Sequence, residues 1–123
     1  MTAPIEVVMP GRPPNLGNFR GHWSARARLV RDRRTMMGWY ATVARGTAPR
    51  AEAPRRAEAV VHLAGRLRDP DGLVAGIKAE LDGLVDGGLL AGDDPASLTL
   101  TVRQERVRHR AEERVVWRIS ADA

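Results

Sequence analysis

The sequence contains no cysteine, which excludes disulfides and thiolate-bound zinc. Long apolar runs are missing too: none extends beyond a few residues, far short of the roughly 20 needed to span a bilayer. The first residues, Met1 to Glu6, lack the basic stretch and apolar core of a secretion signal, so the sequence-level expectation is a cytoplasmic protein. Gly-x-x-x-x-Gly-Lys, Gly-x-Ser-x-Gly and His-Glu-x-x-His do not occur, which leaves ATPase, esterase and zinc-protease readings without support. Lysine is nearly missing. Of the 20 basic residues, 19 are Arg, and Lys78 stands alone. Either a compact ammonium is wanted at that position, or the lone lysine is chance.

What is present is a basic, evenly mixed chain. A length of 123 residues fits one domain with a single modest core. Its net charge of +5 and isoelectric point near 11.1 favour polyanionic partners, because Arg side chains on phosphates release condensed counterions.

Residues 5–9 read as a strand, stopped by Pro10-Gly11 and Pro13-Pro14. A helical pattern over 23–45 runs through Leu29, Val30, Met36, Met37, Tyr40 and Val43, with Arg26, Arg28, Arg31 and Arg34 on its other face. A loop follows over 46–54, then a strand over 57–63 and a second helix over 73–85 that Gly87-Gly88 ends. Alternation over 98–102 and again over 115–119 predicts two strands joined as a hairpin, with its turn over 108–112. The expected order is β-α-β-α-β-β, an α/β (α+β) single domain with helices packed on a mixed sheet. Trp39, Tyr40 and Trp117 fit core stripes better than base-stacking platforms, and His62 and His109 are expected on strand or turn surfaces.

The stretch from Arg68 to Pro95 carries the chemistry. On a helical wheel Leu73, Ile77, Leu81 and Leu84 form the core face, while Asp71, Lys78, Asp82 and Asp86 share another stripe. Asp69 and Asp71 flank Pro70, and Asp93-Asp94 precedes the third strand. If that strand lies beside the second, both acidic groups are expected at one end of the sheet. Paired carboxylates of this kind bind magnesium, which neutralises a phosphodiester and activates water, and a nearby ammonium stabilises developing charge. Each residue also has a plain structural reading. Asp at a helix start caps it, Asp-Asp-Pro makes a turn, and Lys78 with Asp82 is an i, i+4 surface pair. A calcium loop with Asp69, Asp71 and Glu80 as ligands fails, because Leu73 and Val74 stand where an oxygen ligand and a glycine are needed.

In combination the residues resemble a family. Asp69-Pro70-Asp71-Gly72, Lys78, Asp82-Gly83-Leu84, Gly87-Gly88 and Asp93-Asp94 follow the pattern of the RusA-type Holliday-junction resolvases. Upstream, Asn18-Phe19-Arg20-Gly21-His22-Trp23 followed by Arg26 looks like the Asn-x-Arg-x-His-Trp segment of phage and prophage members. The resemblance implies a homodimeric endonuclease that cuts branched DNA with Mg2+, or Mn2+ in its place. It implies Asp69, Asp71, Lys78 and Asp94 as catalytic residues. Asp69, Asp71, Asp93 and Asp94 would be metal ligands, Asp94 being the better match of the last pair. Asn18, Arg20, His22 and Arg26 would contact DNA. Gly72 departs from the pattern, which has Asn there. Two other readings stay open: a non-catalytic nucleic-acid binder on the same fold, and a structural or regulatory dimer whose basic charge is incidental.

Overall fold

A computed structural model describes residues 3–15 and 22–122. The chain runs β1 (Ile5–Pro10), α1 (Trp23–Arg45), β2 (Arg55–Ala64), α2 (Pro70–Asp86), β3 (Leu98–Val107), a 3-10 turn (Arg110–Glu112) and β4 (Arg114–Ala121). It is a single α+β domain, with two helices packed on a four-stranded mixed sheet. No helix among the described residues is long and apolar enough to cross a membrane.

The strand order is β1-β4-β2-β3, which overturns the expected β3–β4 hairpin. β3 pairs parallel to β2 from Arg55 beside Leu98 to Ala64 beside Val107, and β4 pairs antiparallel to β1 and to β2. β2 therefore separates the two strands that adjoin in sequence. The physical reason lies in β2 itself. Ala57, Ala59, Val61 and Leu63 are fully buried on one face, and Val60 and His62 are nearly so on the other. A strand buried on both faces belongs in the middle of a sheet, and a parallel neighbour is reached through a crossover helix, here α2.

Trp117, Val115, Ile119, Val7 and Met9 join the inner residues of β2 under Leu73, Ile77, Leu81 and Leu84 of α2 and Met37 and Ala41 of α1. The face expected for α2 is the one buried. For α1 the outcome differs: Met37 and Ala41 alone are fully buried, while Trp39 is 69% and Val43 78% exposed. Trp39 and Tyr40 are thus exposed and not core residues, although Trp117 is. α1 packs through a narrow strip because the helices touch backbone to backbone. A Cβ built on Gly83 would lie 2.6 Å from the Arg34 carbonyl oxygen, and one on Gly87 would lie 2.5 Å from Cβ of Ala41. The close approach at these glycines limits the buried strip to Met37 and Ala41, and the other large apolar residues of α1, Leu29, Met36, Trp39 and Val43 among them, lie outward.

One charged group is sealed in this core. Glu80 is fully buried, accepts from Arg33 Nε at 3.0 Å and from Trp117 Nε1 at 2.9 Å, and so ties α1, α2 and β4 together. Burial pushes its carboxyl above the ordinary range, opposed first by the Arg33 charge.

Candidate active site

The second strand ends at Ala64, and Gly65, at a φ of +79°, turns the chain into the approach to α2. Asp69 stands at the N-cap of that helix, Pro70 opens it, and Asp71 lies in its first turn. The residue before a proline is confined to extended backbone, and Asp69 obeys with φ −64° and ψ 152°. An N-cap aspartate ordinarily folds back onto the N–H groups of its helix. The Asp69 side chain makes no such bond. Asp69 and Asp71 are both exposed and line one cleft, whose rim carries Arg12, Arg66 and Arg110. The two carboxylates are hard oxygen donors of the kind a hydrated divalent cation takes one or two of, while the arginines and the positive helix end around them favour an anion such as phosphate.

Lys78 does not line that cleft. It lies seven residues beyond Asp71, about 10 Å along the helix at 1.5 Å per residue. Its side chain is 53% exposed, and its ammonium donates to Asp82 Oδ1 at 3.1 Å and also pairs with Asp93. Those carboxylates, Asp93 first, raise the Lys78 pKa, and the ammonium in turn holds Asp93 below the ordinary range. Arg34 extends the chain of charges by gripping Asp86 at 2.7 and 2.9 Å. Asp94 is occupied differently: its Oδ1 accepts from the Ser97 N–H at 2.7 Å, and its carbonyl oxygen accepts from Ser97 and Leu98, each at 3.0 Å. It shapes the turn that starts β3.

The expected meeting of the two acidic groups at one sheet end does not occur. β3 does lie beside β2, but parallel to it, so the start of β3 adjoins the start of β2 while Asp69 and Asp71 follow the end of β2. The structure unites Asp69 with Asp71, and Lys78 with Asp93. Among the described residues no three His, Asp or Glu side chains stand together as a metal-holding group.

Of the expected DNA contacts, Asn18 and Arg20 lie outside the described residues. His22 caps α1: its Nδ1 accepts from the Ser24 N–H at 3.2 Å, and its ring lies 5.5 Å from that of Trp23. Arg26 is exposed one turn into α1, with no ion pair among the described residues. His62, expected on the surface, is only 9% exposed on the sheet face away from the helices. Burial, then Arg114, lowers its pKa. His109 begins the 3-10 turn, where the Glu112 side chain returns to its N–H at 3.0 Å. Gly72 has room beside it, since the nearest atom to a Cβ there is Asn15 Oδ1 at 3.7 Å.

Two supporting residues escaped the sequence reading. Glu113 accepts from Arg12 at 2.6 Å and from the Ala64 N–H at 2.9 Å, which fastens the cleft floor to the segment after β1. Gln104 bonds the backbone of Arg68, and its signal was visible: the apolar alternation Leu98, Leu100, Val102 breaks at Gln104. Compared with models of known protein families and with curated proteins, the chain matches neither.

Proposed function

We propose that this protein is a magnesium-dependent endonuclease for branched DNA, of the RusA-type resolvase kind, acting as a homodimer that nicks opposing strands. The observation that carries the reading is the pair of Asp69 and Asp71, unengaged among the described residues, in a cleft rimmed by arginines. In this reading both aspartates hold the metal, and Arg66 and Arg110 meet DNA phosphates. The bound Mg2+ supplies charge neutralisation at the phosphodiester and lowers the pKa of a water. Pro70 and the helix start fix the spacing of the two carboxylates. Asp93, Asp94 and Lys78, which the resemblance adds to the site, lie outside that cleft in a single chain. A two-fold-symmetric dimer suits a two-fold-symmetric junction.

The runner-up, a nucleic-acid binder without catalysis on the same fold, draws on one observation: Lys78 is already paired with Asp82 and Asp93. Labelled four-way junction, incubated with and without Mg2+, tests the choice. Paired nicks are expected with the metal alone. Asp71→Asn is expected to abolish them while leaving a folded protein that binds junctions, since a neutral amide is a poor ligand for a hard cation. Binding without any metal-dependent cleavage by the unaltered protein selects the runner-up.

A further inference from the structure

The peptide just before Asp69 is held by a side chain from another strand. Gln104 of β3 accepts from the Arg68 N–H at 3.0 Å through Oε1 and donates to the Arg68 carbonyl oxygen at 2.7 Å through Nε2. The second bond matters most for the site, because the Arg68 carbonyl lies in the same rigid peptide plane as the Asp69 N–H. Gln104 therefore fixes the plane from which Asp69 springs, and Pro70 restricts it from the other side. By strand alternation Gln104 shares the face of Leu98, Leu100 and Val102, which pack against the core. An amide there loses hydration, and the two bonds to Arg68 offset that loss. The Arg68 guanidinium meanwhile bonds the carbonyl oxygens of Pro13 and Pro14, so that peptide is anchored on both sides.

We infer that Gln104 is a positioning residue for the metal site: it fixes the peptide that carries Asp69 and so the place of that carboxylate relative to Asp71. This rests on the proposed metal-dependent reading. Freed of Gln104, the Arg68–Asp69 peptide can rotate, and the Asp69 carboxylate it carries loses its fixed place beside Asp71. The cation then loses the fixed spacing of its two ligands.

The test compares wild type with Gln104→Met, which keeps shape but loses both bonds, and with Gln104→Asn, which keeps the amide but is one methylene too short to span both partners. Mn2+ is titrated into each 15N-labelled protein, and paramagnetic broadening of the Asp69 and Asp71 amides is followed. Thermal melting confirms that each is folded, and the polar Asn variant serves if the Met variant is not. The Mn2+ midpoint is expected to rise about tenfold in the variants, a typical loss when the support of a metal ligand is removed. Junction cleavage should fall at limiting Mg2+ and recover at saturating Mg2+, which a general loss of folding would not do. Junction affinity in chelator should stay unchanged. Wild type that binds Mn2+ and cuts, beside variants with the same midpoint, overturns the role of Gln104 alone. Wild type that neither binds Mn2+ nor cuts overturns the proposed function and this inference together.

Discussion

A lone lysine among nineteen arginines drew the eye in the sequence, and the structure gives it two carboxylate partners. Exposed pairs of this sort contribute little stability, so the network around Lys78 is weak ground for retaining it. The resemblance makes Lys78 catalytic although it stands outside the Asp69–Asp71 cleft; on that reading its ammonium would leave Asp93 to stabilise charge that develops during cleavage. Lys78→Ala is expected to slow single-turnover cleavage by on the order of a hundredfold, with a much smaller loss of junction affinity. Lys78→Arg should restore little, because a planar guanidinium spreads its charge and needs another geometry. Equal rates in wild type and Lys78→Ala would leave the residue as a surface tie between α2 and the loop before β3.

The elements themselves were largely legible, and so was the core face of α2, because Leu73, Ile77, Leu81 and Leu84 recur at helical spacing. The packing of α1 was not. Apolar periodicity reports a stripe but not whether anything covers it. Gly83 and Gly87, which looked like motif and helix-end glycines, instead bring two backbones together and leave room for few other side chains. Gly87→Val is accordingly expected to push α1 off α2 and cost about 1–3 kcal/mol or more, read from urea denaturation. Wild-type stability in that variant would show that the helices adjust freely at their crossing. The partnering of strands was equally hidden. Alternation in β3 and β4 fixes which face each residue takes but says nothing of which neighbour it pairs with. The two acidic groups were misplaced for the same reason: they were assigned to one sheet end without knowing the direction of β3. Asp69 and Asp71 needed no such knowledge, since three residues of sequence hold them.

At the scale of the whole molecule, the ties around the cleft make stability depend on pH. Arg12 first, and the Ala64 N–H after it, hold Glu113 below the ordinary carboxylate range. A depressed carboxyl contributes stability that is present above its unfolded pKa and lost as pH falls through the folded value. Glu113→Gln is therefore expected to lower stability near neutral pH, by about 1–3 kcal/mol, and to flatten the acid limb of the stability curve. Urea midpoints measured across the acid range in both proteins check this; parallel curves would mean that Glu113 carries none of the acid sensitivity.

The strand order has a consequence in time as well as in space. β4 comes after the other three strands in sequence, yet it lies between β1 and β2 and pairs with both. Ile5 finds Ile119 only when the two ends of the sheet-forming sequence meet. Contacts so distant along the chain must close large loops before they are rewarded, and such topologies fold more slowly than helical bundles. During synthesis β2, the most buried strand of the folded sheet, waits with one edge bare until residues 114–121 leave the ribosome. Over that interval the nascent chain offers an unpaired edge to other chains, and only the arrival of the late strand closes it.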